Sequence, residues 1–288
     1  MKKIKAYIQI TRLDKPIGIY LLLWPTLWAV WIAANGQPDW HIVLIFSLGV
    51  VLMRSAGCVI NDFADRKVDG FVERTKNRPL ATGVVTSKQA LTLFFALVIV
   101  SFLLVLQLNL NTILLSFGAL GLAALYPFMK RYTHLPQVFL GAAFSWAIPM
   151  AFMAIQNKLP LVVWVLYATN LAWTVAYDTL YAMVDRDDDL KVNIKSSAIL
   201  FGRFDRLAVL LLQLLTVVGW FCIGQLAGLT QPYYLAVGLT LGLFLYHYWQ
   251  VRARDRVSCF NAFLQNHYAG LIIFLGIILS YLQLNAAQ

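Results

Sequence analysis

Long apolar runs, each closed by a short polar connection, recur along the whole chain. Nine of them approach the roughly 20 residues that a helix needs to cross the hydrocarbon core of a bilayer. They predict spans over approximately Pro16–Asn35, His41–Asn61, Lys88–Leu108, Thr112–Phe128, Leu135–Ile155, Leu161–Val184, Arg206–Leu226, Tyr233–Val251 and His267–Leu284. Gly36-Gln37-Pro38-Asp39 and Gly228-Leu229-Thr230-Gln231-Pro232 read as turns. Tyr126-Pro127 is expected to end the fourth span, because proline disfavours helix in the residue before it. Pro25 and Pro149 fall inside spans, where neighbouring helices absorb a kink. The run from Ile17 has no small-residue cleavage site behind it and reads as a retained helix.

The polar connections are unequal in charge. Of the 23 lysines and arginines, 21 fall at the N-terminus or in the connections after spans two, four, six and eight. Only Lys158 lies on the opposite side and only Arg54 lies within a span. By the positive-inside rule the basic face and the N-terminus are cytoplasmic, and an odd number of spans puts the C-terminus outside. Topology thus accounts for the net charge of +10, which in a soluble protein would suggest nucleic acid. The expected fold is all-α: a multi-pass transmembrane helical bundle of about nine helices, with no soluble domain. Composition agrees, with 60% hydrophobic and 12% charged residues, about half the charge of a soluble domain. Cys58, Cys222 and Cys259 have no metal or redox spacing and read as small apolar residues.

The acids are concentrated. Nine of 13 lie between Asp62 and Glu73 or between Asp178 and Asp189, each stretch at the end of an apolar run. Asp65-Arg66-x-x-Asp69 and Asp185-Arg186-x-x-Asp189 repeat one pattern 120 residues apart. Both fall on the cytoplasmic side, four spans apart, so their helices run the same way. This is a parallel internal repeat within a single domain of residues 1–288, with halves of roughly 16–130 and 135–251 plus a last helix. At about 100° per residue, Arg54, Asn61 and Asp65 share one helical line to within about 20°, as do Asp178, Asp185 and Asp189. Tyr181 stands about 60° to one side, and Asp187 and Asp188 lie off the stripe. Carboxylates at membrane depth face the bundle interior or a wet cavity.

An oxygen-only ligand set without His or Cys suits a hard divalent ion, Mg²⁺ before Ca²⁺. Mg²⁺ takes one or two protein carboxylates and completes its shell with water and substrate phosphate. Two opposed clusters with Arg74, Lys76, Lys191 and Lys195 close behind fit a diphosphate bridged by Mg²⁺, its remaining oxygens held by the basic side chains. A cation-coupled transporter would also explain repeats and intramembrane carboxylates, but it places charge near the midplane at broken helices. Here the aspartates sit at one end, beside bases that repel a metal cargo.

Asn61-Asp62-x-x-Asp65-x-x-x-Asp69 and Asp178-x-x-Tyr181-Ala182-x-x-Asp185-x-x-x-Asp189 resemble the paired aspartate-rich motifs of the UbiA superfamily of intramembrane prenyltransferases. Arg12-Leu13-Asp14-Lys15-Pro16-Ile17-Gly18, Arg74-Thr75-x-x-Arg78-Pro79-Leu80 and Tyr126-Pro127-Phe128-Met129-Lys130-Arg131-Tyr132-Thr133 resemble its bacterial branch acting on 4-hydroxybenzoate. The resemblance spans nearly the whole chain. It implies transfer of a polyprenyl group from its diphosphate to the ring carbon ortho to the hydroxyl of 4-hydroxybenzoate, a step of ubiquinone synthesis in the bacterial inner membrane. It implies Mg²⁺ at Asn61, Asp62, Asp65, Asp69, Asp185 and Asp189, with the acids at 65, 69, 185 and 189 carrying the catalysis. Asp185 or diphosphate itself would take the ring proton. Arg54 would hold the acceptor carboxylate or the diphosphate, against the alternative of an ion pair with a nearby aspartate. Arg131, beside Tyr132 and His134, is the rival carboxylate clamp, and Asp178 and Tyr181 face the same cavity. Naphthoate, homogentisate and haem are the competing acceptors.

Overall fold

The computed structural model describes residues 2–66, 69–71, 75–191 and 194–287. Among these residues the regular structure is helical throughout: α1 (Lys2–Ile10), α2 (Ile17–Ala33), α3 (Trp40–Asp65), α4 (Ser87–Val105), α5 (Leu110–Tyr132), α6 (Pro136–Ser145), α7 (Ala147–Gln156), α8 (Leu161–Lys191), α9 (Ser197–Phe201), α10 (Asp205–Leu226), α11 (Gln231–Gln250) and α12 (Arg256–Ala286). Short 3₁₀ turns cover Asp69–Phe71, Gly202–Phe204 and Val251–Ala253. The nine expected spans correspond in order to α2, α3, α4, α5, the α6–α7 pair, α8, α10, α11 and α12. Among the described residues six segments are, by length and apolarity alone, able to cross a membrane, and Ile17–Ala33 is a shorter apolar helix. The expected count of nine exceeds what these two properties establish.

Several boundaries depart from expectation, and three of the departures have a local reason. Span five breaks between Ser145 and Trp146 because Pro149, four residues on, has no N–H for the Ser145 carbonyl and crowds it. Pro127, by contrast, does not end its helix. The expectation that Tyr126-Pro127 closes the span fails, and α5 runs on to Tyr132. The extra turn is tied to α3, where Lys130 pairs with Asp65 and Arg131 Nη2 donates 2.9 Å to the Ala64 carbonyl. The last helix starts at Arg256, eleven residues before the apolar run, with the Asp255 carboxylate capping it by accepting from Ser258 N–H at 2.8 Å.

Helices adjacent in the ring pack in order: α2 on α3, α3 on α4, α5 on α6, α6 on α8, α8 on α10, α10 on α11, α11 on α12, and α12 back on α2. The weakest link is between α4 and α5, which meet over a short stretch. Nothing in lipid drives helices together by hydrophobicity, so close packing and buried polar contacts hold the bundle. Trp28, Trp173 and Trp220 meet at its centre with ring centroids 5.4 to 6.0 Å apart. Trp28 Nε1 donates to the Gly270 carbonyl and Trp173 Nε1 to Asn266 Oδ1, both at 3.0 Å. These tryptophans are core, and not an interfacial belt. Gly270 lets α12 approach: a Cβ there would stand 2.5 Å from Trp24 Cδ1 and 2.9 Å from Trp173 Cη2.

Rigid rings cannot yield that space. Gly270→Ala is therefore expected to destabilise the bundle by about 1–3 kcal/mol, read as a lower unfolding midpoint in detergent. An unchanged midpoint would show that α12 is free to shift.

Candidate active site

The first aspartate stretch is helical only to Asp65, whereas its repeat stays helical through Lys191. Asp69 accordingly sits on a separate 3₁₀ turn, while Asp185 and Asp189 remain on α8. Two copies of one sequence pattern are thus presented differently: a bent arm on one side and a straight helix on the other.

Both arms reach one cavity of about 1260 Å³. Its polar end carries Asn61, Asp62, Asp65 and Asp69 from the first stretch, and Asp178, Tyr181, Asp185 and Asp189 from the second. Lys195 and Arg54 also line it, the latter one turn or more deeper along α3. Its apolar end is walled by α4 and α5, through Ile99, Leu103 and Phe117 among others. Those three side chains are also exposed on the outer surface of the bundle, so the cavity opens sideways where α4 and α5 meet least.

Asp62, Asp65 and Asp69 of the first arm are each engaged by a base from beyond that stretch. Asp62, 1% exposed, receives Arg12 Nη2 on both oxygens at 2.9 and 3.0 Å, and Arg78 Nη1 at 3.0 Å. Arg78 Nη1 also bonds both oxygens of Asp69, at 3.0 and 2.9 Å. Lys130 pairs with Asp65. Burial pushes the Asp69 carboxyl above its ordinary value, and Arg78 pulls against that shift. On the second arm, Asp188 accepts from Lys191 and from Arg256 Nη1, both at 3.2 Å.

Of the expected site residues, Arg74 lies outside the described residues. Lys76 and Lys191 are exposed and are not part of the cavity wall. Nor is Arg131, whose guanidinium ties α5 to the end of α3, as described above. Lys195 lines the cavity, and its Nζ donates 3.3 Å to the Tyr132 carbonyl. Arg12, Arg78 and Lys130, which the sequence marks only as motif positions, and Arg256, one of the bases after span eight, all line the cavity. Tyr126, read as a helix terminator, is a wall residue.

Arg54 is the deepest charge in the cavity. Its Nη1 lies 2.7 Å from Cys58 Sγ, its guanidinium lies 5.9 Å from the Phe144 ring centroid, and its buried Nε has no hydrogen-bond partner. No aspartate pairs with it among the described ion pairs. It lies flat on α2, where a Cβ at Gly18 would come within 2.3 Å of Nε. The absence of a side chain at Gly18 is therefore what seats the guanidinium. A buried cation with a spare donor is able to take an anion.

The donor set tests whether a cation fits. Every candidate ligand offers oxygen, which suits Mg²⁺. Among the described residues no three His, Cys, Asp or Glu side chains converge on one point. Among the described residues seven aspartates and seven lysines or arginines line the cavity, so their formal charges balance. The residues fit Mg²⁺ that would arrive with a diphosphate, which would supply the remaining oxygen ligands and offer Lys130, Arg12 and Arg78 an alternative partner.

Comparisons with known proteins agree with this geometry. The model of the UbiA prenyltransferase family matches residues 22–278. A 4-hydroxybenzoate octaprenyltransferase of Marinomonas sp. (strain MWYL1) is 58% identical over 282 residues, covering 98% of this chain and 99% of the relative. The apo structure of a UbiA homolog from Aeropyrum pernix K1 superposes with a TM-score of 0.79 at 24% identity, over 90% of this chain and 97% of that one. The structure of a UbiA homolog from Archaeoglobus fulgidus bound to GPP and Mg²⁺ superposes with a TM-score of 0.75 at 17% identity, over 95% and 99%. The motifs, the helical ring and the near-complete match place this chain in the UbiA prenyltransferase family.

Proposed function

We propose that this chain transfers a polyprenyl group from polyprenyl diphosphate to the carbon ortho to the hydroxyl of 4-hydroxybenzoate, releasing diphosphate and forming 3-polyprenyl-4-hydroxybenzoate in ubiquinone synthesis. The observation that carries this reading is the single cavity, with two carboxylate arms at its polar end, one buried arginine in its depth and an apolar wall open to lipid. The high identity to 4-hydroxybenzoate octaprenyltransferases supports the acceptor. The basic face carrying the arms is the cytoplasmic side of the inner membrane by the positive-inside rule, with the C-terminus periplasmic.

The residues divide the work by chemistry. Asn61, Asp62, Asp65, Asp69, Asp185 and Asp189 would hold Mg²⁺, which when bound draws charge from the diphosphate and makes it a leaving group. Arg12, Arg78, Lys130, Lys195 and Arg256 take the phosphate oxygens left over. The C1–O bond of the prenyl diphosphate breaks and its electron pair departs with diphosphate. The apolar wall keeps water from the allylic cation that remains. The ring carbon ortho to the phenol forms the new C–C bond to C1, and its proton passes to the Asp185 carboxylate or to diphosphate. Arg54 holds the acceptor carboxylate, and Asp178 and Tyr181 lie beside the phenol. The tail runs out between α4 and α5 past Ile99, Leu103 and Phe117 into the bilayer. The two halves, roughly 16–130 and 135–251, supply one arm each: α3 against α4 and α8 against α10.

Purified protein with Mg²⁺, geranyl diphosphate and 4-hydroxybenzoate is expected to give the 3-geranyl product; turnover of a naphthoate in its place would reassign the acceptor. Asp65→Ala and Asp185→Ala should each lower kcat by about 10²-fold or more. Either variant running at full rate would sink the two-armed model. Arg54→Ala should raise KM for 4-hydroxybenzoate by about 30-fold or more, the effect of removing one side of a buried charge pair. Gly18→Ala, by displacing the same guanidinium, should act in the same direction. A larger effect of both on the prenyl diphosphate would move Arg54 to the phosphate.

A further inference from the structure

Asp205 belongs to neither aspartate stretch, yet it is fully buried. It opens α10, and its carboxylate joins three segments. Oδ2 accepts from Arg186 Nη1 of α8 at 3.2 Å, and Oδ1 accepts from Arg254 Nε of the α11–α12 connection at 2.8 Å. The N–H of Arg206 adds a bond to Oδ1 at 2.6 Å. Arg186 follows Asp185 directly, and Arg254 stands two residues before Arg256. Arg256 lines the cavity and reaches back to α8, with Nη1 3.2 Å from Asp188 Oδ2. The ion pairs therefore close a circuit: α8 to Asp205 through Arg186, Asp205 to the connection through Arg254, and the connection back to α8 through Arg256 and Asp188.

The circuit grips α8 from both sides of its cavity face. Taking Asp185 as zero and about 100° per residue, Asp189 lies at about 40°, Arg186 at about 100° and Asp188 at about −60°. The two gripped positions thus bracket the two cavity aspartates and fix the rotation of the helix end about its axis. The connection is fixed as well. Arg254 adopts a left-handed φ of 54°, and its guanidinium bonds Asp205 and, through Nη2 at 2.7 Å, the Arg203 carbonyl. The first arm, Asp62 to Asp69, is held by bases that bind its own acids; the second is held in addition through Asp205, an acid outside the site.

We propose that Asp205 is a positioning residue, which with Arg186 and Arg254 sets the rotation of the α8 end and so presents Asp185, Asp189 and Arg256 to the diphosphate. This rests on the function proposed above. Asp205 does not touch substrate; it acts through its partners, as outer-shell groups do at metal sites.

The test is calorimetric titration of the full-length protein in detergent with geranyl diphosphate and Mg²⁺, beside steady-state kinetics. Asp205→Asn should weaken geranyl diphosphate binding and raise the Mg²⁺ concentration for half-maximal rate by about 10-fold or more. KM for 4-hydroxybenzoate should stay within about twofold. Arg254→Gln leaves Arg186 on Asp205 and frees only the connection; it should shift the same two constants by a few-fold at a wild-type unfolding midpoint. It decides the question should Asp205→Asn fail to fold. Wild-type affinity for geranyl diphosphate in the folded variants, or equal losses for diphosphate and acceptor, would overturn the proposal. The titration needs no acceptor, so it still reads the clamp if the wild-type protein prenylates some other ring.

Discussion

An acid at the edge of a bilayer has to be compensated, and the structure is arranged around that requirement. Asp62, Asp65 and Asp69 are all buried, and without partners each would cost several kcal/mol. Arg12, Arg78 and Lys130 supply those partners from the chain before α2, the stretch after the 3₁₀ turn and the end of α5. Three separate segments are drawn to the end of α3 by this need for charge balance. The polar end of the cavity is the result.

The balance is also what makes the site responsive on the proposed reading. Aspartates held by lysine and arginine are stable without substrate, because charges of both signs are satisfied. A diphosphate accompanied by divalent cations offers both sets a better partner at once: metal for the carboxylates and phosphate oxygen for the bases. Arg54 stands apart from this exchange. It has no aspartate among the described ion pairs, and Gly18 clears room for its guanidinium against α2. On the proposed reading, its position deep on the same face would separate an acceptor end from a diphosphate end.

Much of this was legible in the sequence because it depends on period. The 3.6-residue repeat placed Arg54, Asn61 and Asp65 on one face, and all three line the cavity. The count of bases on alternate connections placed both acidic stretches at one end. What escaped depends on contacts between distant segments. Arg12 and Asp62 are 50 residues apart, and Lys130 and Asp65 are 65 apart, with no periodicity to link them. Pro127 was misread for the same reason: proline's local preference against helix was overridden by the bonds that Lys130 and Arg131 make to the end of α3. Pro149 acted through its missing N–H and split a helix, because its neighbours left the kink in place. Asp205 carries no motif at all and is recognisable only from its three partners.

The central claim is that the two arms act together on one diphosphate. It is tested most directly by calorimetric binding of geranyl diphosphate in Mg²⁺ to the wild-type protein, Asp65→Asn, Asp185→Asn and the double variant. Groups that hold one ligand jointly are not independent, so each single variant should lose nearly as much affinity as the double. Losses that simply add, with each arm binding alone, would contradict the account.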